Sequence, residues 1–139
     1  MTNKLMLLAL CACCFFSCEK ENALSDFVMG TPFNLSFGDT NQAADEDVTV
    51  NFFEVVSDSR CPSDVTCVWE GESSVKVNLK VGAESENLIL STHESKGQGP
   101  QKDTLGGFII TLLEVIPYPI STVDVQEEDY EIRLQIDEL

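Results

Sequence analysis

The chain carries one histidine, one tryptophan and only eight basic residues in 139, and each scarcity removes a class of function. A single histidine, His93, leaves no cluster of imidazoles to complete a zinc site with cysteines. It also leaves one general base for every serine and threonine, and that base lies in a wholly polar stretch. No serine stands in a Gly-x-Ser-x-Gly elbow or a Ser-x-x-Lys arrangement. Gly97-Gln98-Gly99-Pro100 lacks the Lys-Ser/Thr that would make it a phosphate loop, and reads as a turn. Eight basic residues stand against 24 acidic ones, a net charge of −16, so nucleic acid and anionic headgroups are repelled rather than bound. No cofactor or metal site is expected. Asp45-Glu46-Asp47 and Glu127-Glu128-Asp129 lack the alternation of a calcium loop and read as solvated turns, and nothing among the many carboxylates selects a pair for glycoside hydrolysis.

Long hydrophobic runs are missing too. The longest, Leu5 to Phe16, has twelve residues, whereas a helix crossing about 30 Å of hydrocarbon needs roughly 20. With Lys4 before it and Ser17 after it, the run has the form of a removable signal segment. It ends at Phe15-Phe16-Ser17-Cys18 and turns at once to Glu19-Lys20-Glu21-Asn22. That junction resembles a bacterial lipoprotein signal, in which the cysteine thiol is acylated and becomes the first mature residue. The resemblance implies residues 1–17 as signal peptide, Cys18 as the lipidation site, residues 18–30 as a tether, and a place at the outer membrane, on its periplasmic or surface face. Phe15 occupies the position where leucine is usual. Cys13 and Cys14 are the alternative acceptors and an ordinary secretory signal the competing reading, but the apolar run should end near the cut, which favours Cys18. Two or three acyl chains, at about 0.8 kcal/mol per buried methylene, would hold the protein on a bilayer essentially permanently.

Of six cysteines, Cys11, Cys13 and Cys14 leave with the signal and Cys18 is taken by lipid, so Cys61 and Cys67 remain to form a disulfide in an oxidising compartment. Their spacing is too wide for a Cys-x-x-Cys redox pair, and they lack the further ligands zinc would need.

Residues 31–139 read as one all-β domain. Phe33, Leu35 and Phe37 alternate with polar neighbours and stop at Gly38-Asp39; Val48, Val50 and Phe52 repeat the pattern; Val75, Val77, Leu79 and Val81 give the cleanest period-two run. Leu88 and Leu90 follow, and residues 93–104 form an exposed loop. Phe108–Ile116 is apolar throughout, a strand covered on both faces or nearly so, and is stopped by Pro117-Tyr118-Pro119. Tyr130, Ile132, Leu134 and Ile136 close the chain. About seven short strands and no amphipathic helix predict an antiparallel, Ig-like β-sandwich, with a small barrel as the alternative.

The densest run of unusual residues is Asp58-Ser59-Arg60-Cys61-Pro62, a short gap, then Cys67-Val68-Trp69-Glu70-Gly71. It resembles a motif of an uncharacterised family of exported bacterial lipoproteins of the Bacteroidota kind, ordered Asp-Ser-Arg-Cys-Pro…Cys-x-Trp-x-Gly, and the likeness extends over about residues 31–137. Glu70 departs from it, standing where alanine is frequent. No activity defines that family, so the resemblance implies fold and export rather than chemistry. Physically the segment reads as a staple, with Trp69 on the core side of the next strand against the disulfide and Arg60 paired with Asp58 or Asp64. Arg60 and Trp69 are also residue types enriched at interaction hot spots. Tyr118, between two prolines, is a turn or an exposed aromatic contact.

The expectation is thus a lipid-anchored, non-catalytic envelope module, joined to the membrane through its N-terminal lipid and contacting an envelope protein or ligand through Arg60, Trp69 and Tyr118. An envelope enzyme or a small Ig-like protease inhibitor is the alternative.

Overall fold

The computed structural model describes residues 25–93 and 99–139; the signal segment, Cys18 and the first part of the tether lie outside them, as do residues 94–98 of the polar loop. Among the described residues nine strands form two sheets. The first has the order β1 (Ser25–Phe27), β3 (Thr40–Ala43), β4 (Val48–Asp58), β5 (Ser73–Val81), β6 (Glu84–Ser91); the second has the order β2 (Phe33–Ser36), β9 (Glu131–Glu138), β8 (Phe108–Ile116), β7 (Lys102–Leu105). The sheets do not close into a barrel, and the architecture is a β-sandwich.

Alternation along the strands builds the core. Val48, Val50 and Phe52 of β4 and Val75, Val77 and Leu79 of β5 face Ile110 and Leu112 of β8 and Ile132, Leu134 and Ile136 of β9, all at most 1 % exposed. Each such side chain contributes about 2 kcal/mol by leaving water, which is the main force holding the two layers together. Two register shifts in the β4–β5 ladder, at Phe53 and Val56, let the apolar second half of β4 turn residues out of the core without losing Val55 from it.

Four departures from the sequence reading have physical causes. The fold takes in part of the segment assigned to the tether: Ser25–Phe27 forms β1, which runs parallel to β3, the one parallel pair among the described residues. Phe27 is buried and stacks on Phe33 with ring centroids 4.2 Å apart. Strand β3 was hidden because Thr-Asn-Gln-Ala has no apolar alternation; it is defined by backbone pairing and by Asn41, whose buried amide donates to the Asn34 carbonyl at 3.2 Å. Strand β7, Lys-Asp-Thr-Leu, lies in the tail of the supposed loop, paired with β8 on the sheet edge. Strand β8 is covered on one face only, since Leu113 is 41 % exposed and Glu114 is also on the surface.

Candidate functional site

Strands β4 and β5 end together at the pair Asp58 and Ser73, and the motif occupies the loop between them. Ser59 N–H donates to Glu72 O at 2.7 Å, adding one rung beyond the strands. The returning chain passes so close that a Cβ on Gly71 would fall 1.6 Å from the Ser59 carbonyl oxygen, so this crossing admits glycine alone.

Arg60 follows at once, and it is turned inward rather than displayed: the residue is 8 % exposed. Its guanidinium grips Asp58 in a fork, Nε donating to Oδ1 at 2.8 Å and Nη2 to Oδ2 at 2.6 Å. The remaining donors reach across the sandwich, Nη1 to Val115 O at 2.5 Å and Nη2 to Pro117 O at 2.8 Å, at the end of β8 in the other sheet. Tyr130 completes the cluster from just before β9, its hydroxyl donating to Asp58 Oδ2 at 3.0 Å. A buried ion pair is tolerable when its spare donors and acceptors are all engaged, and here they bolt the two sheets together at one end. Burial alone would raise the Asp58 pKa, but the hydrogen bonds and charge of Arg60, with help from Tyr130, outweigh it and hold the carboxyl below its ordinary 3.8. Burial, and then the neighbouring Asp58 carboxylate, push the Tyr130 phenol up to about 12.

The cysteine loop is fixed outside this bolt. Cys61 and Cys67 form the expected disulfide, with Cα atoms 5.9 Å apart. Ser63 N–H donates to Pro119 O at 3.0 Å, and the Asp64 carboxylate accepts from both the Oγ and the N–H of Ser121, which hold its pKa below the usual value. Trp69 is not on the core side of a strand, because β5 does not start until Ser73; the indole is 79 % exposed and Val68 beside it 87 %. Tyr118, just past the cis Ile116–Pro117 peptide, is 52 % exposed, and its ring lies 5.0 Å from the Arg60 guanidinium.

Three loops therefore share one end of the sandwich. Thr92, at the end of β6, exchanges hydrogen bonds with Ser73, and His93 Nε2 lies 3.8 Å from Glu70 Oε2. This places the start of the 92–101 loop beside the 59–72 loop, while Arg60, Ser63 and Asp64 join the latter to the 117–130 loop. Between them lies an open cleft of about 210 Å³, lined by Arg60, Glu70, Gly71, His93, Leu113 and Tyr118. A second, of about 300 Å³, lies between Pro62, Ile120, Val123 and Tyr130. Among the described residues, no three His, Cys, Asp or Glu side chains gather as metal ligands, and no helix is long and apolar enough to cross a membrane.

Of the three residues singled out from sequence, Trp69 and Tyr118 thus stand on the surface of this end, whereas Arg60 supports it from beneath. Sequence reasoning missed Val68, which carries no motif signal, and Tyr130, read only as one more residue of an alternating strand; it did offer Asp58 as a partner for Arg60, and the two are paired. No family model, no curated protein and no solved structure matches the chain.

Proposed function

We propose that this protein is a lipid-anchored, non-catalytic module of the bacterial envelope that binds a partner through the cysteine-loop end of its sandwich. The observation that carries the reading is the pairing of bareness with bracing: Val68 and Trp69 stand almost fully in water on a loop fixed by a disulfide, a glycine crossing and Asp64. An immobilised aromatic loses little entropy on binding, and large aromatics in a rigid surface make efficient anchors. The lipid anchor and the envelope location rest on the sequence around Cys18.

The test uses the full chain in cells. Crosslinking on intact cells should recover a defined partner with the natural protein and lose it with Val68→Ser/Trp69→Ala, while the folded fraction stays equal by circular dichroism. Equal recovery of the same partner by both proteins would overturn the reading. Metabolic labelling with an alkynyl fatty acid should mark the chain and fail to mark Cys18→Ser; label on both would refute anchoring at that sulfur.

A second reading, a protease inhibitor, is favoured by one observation: the described parts of the 59–72, 92–101 and 117–130 loops gather at the same end, the arrangement by which a sandwich presents several loops to one groove. Stoichiometric inhibition within a panel of serine, cysteine and metalloproteases, lost in the same double variant, would select it over the first reading.

A further inference from the structure

We infer that the cleft lined by Glu70, Leu113, Glu114 and Tyr118 receives a cationic, partly apolar peptide segment of a partner protein: a lysine or arginine flanked by an aliphatic or aromatic residue. This rests on the binding reading above and names the chemistry of the partner.

The arginine in the cleft wall, Arg60, is neutralised by Asp58 and spends its donors on Val115 and Pro117, so it offers nothing to an anion. The carboxylates around it are exposed: the Glu70 side chain, 82 % exposed, lies 3.8 Å from His93, and Glu114 is on the surface of the cleft. Leu113 and Tyr118 line the cleft, and Trp69 and Val68, next to Glu70 in the chain, add exposed apolar surface. A cation entering here meets two carboxylates, while its neighbour covers apolar area now in water. The rest of the chain points the same way, with seven basic residues against all 24 acids once Lys4 is set aside, which steers basic partners in from a distance. An acidic or phosphorylated segment would meet like charge, and an uncharged sugar would leave Glu70 and Glu114 unanswered.

Trp69 is the sole tryptophan and adjoins Glu70 of the cleft, so its emission reports on this end of the sandwich. The probe is a short peptide alternating lysine and leucine, with two controls: glutamate replacing every lysine, and serine replacing every leucine. The lysine–leucine peptide should shift Trp69 emission to the blue and saturate at 150 mM salt, where the screening length is about 8 Å and bulk attraction is weak. Glu70→Gln/Glu114→Gln should weaken it by about tenfold or more, and Trp69→Ala, followed by calorimetry, by a similar factor. Glu84→Gln/Glu86→Gln, on β6 at the far end, should change it less than twofold.

Absence of saturable binding, or equal weakening by the two glutamate pairs, would overturn the inference. If the glutamate–leucine peptide binds in a Trp69-dependent way, the binding end stands and its cationic preference falls. If phosphatidylcholine vesicles shift the emission and no peptide does, the surface is for lipid and the inference is likewise overturned.

Discussion

The carboxylate of Asp58 takes two parallel hydrogen bonds from the guanidinium of Arg60, two residues further along, and that pair joins the end of β4 to the end of β8. Both side chains are nearly out of water, at 6 % and 9 % exposure. Removing one member strands the other's charge in a poorly solvated place, and breaking a buried pair in this way costs about 3 kcal/mol. Arg60→Ala should therefore lower stability by about that amount in urea unfolding, a large part of the 5–15 kcal/mol typical of a domain. Arg60→Lys should recover little, since a point charge cannot serve Asp58, Val115 and Pro117 together. Full stability in both variants would show that the bolt is ornamental.

The same cluster sets the response to pH. A carboxyl held below its unfolded value contributes stability that is complete above that value, near 3.8, and disappears as pH falls through the lower native value. Acid unfolding should thus narrow the stability gap between the natural protein and Asp58→Asn below pH 3.8. Tyr130 works in the opposite sense: with its phenol raised from 10 to about 12, its contribution is whole below pH 10 and lost as pH climbs towards 12. Tyr130→Phe should lose less stability than the natural protein between pH 10 and pH 12, as measured by chemical unfolding at each pH.

At the crossing of Gly71 over Ser59, an added methyl meets backbone rather than a movable side chain. Gly71→Ala should cost about 2 kcal/mol, the scale of overpacking, and shift the amide resonances of residues 58–60 in two-dimensional NMR. An unchanged melting temperature would mean that the loop slides at no cost.

Reducing the disulfide, or making Cys61→Ser/Cys67→Ser, should lower stability by about 2.4 kcal/mol on the chain-entropy estimate for so short a ring. The slope of the denaturant dependence should not change, because the core lies elsewhere. A reduced form as stable as the oxidised one would assign the bridge no structural share.

How far the sequence could be read follows from where side chains, rather than backbone, decide. Val75 to Val81 and Ile132 to Ile136 alternate because one face is buried, and both were legible to within two residues. Strands β1, β3 and β7 were not, since Ser-Asp-Phe, Thr-Asn-Gln-Ala and Lys-Asp-Thr-Leu lie on or next to sheet edges, where hydrogen bonding to a neighbour does the work and little apolar patterning is needed. In the motif, the disulfide was legible by cysteine accounting. The pairing of Arg60 with Asp58 was legible as well, whereas its reach to Val115 and Pro117 was not, and Trp69 was placed in the core because a large indole reads as core until the loop's path is known.

Among the described residues the sandwich has four border strands, and their lengths bear on how the protein behaves when crowded. Three of them, β1, β2 and β7, have three or four residues, too few to template a neighbour's backbone. The fourth, β6, has eight, but Glu84 and Glu86 guard one half, and at the other Ser91 N–H is already spent on Pro100 O while Gly99 presses against Ile89. A molecule with so little open margin resists lateral stacking into fibrils, so dense arrays of it should remain dispersed as separate units.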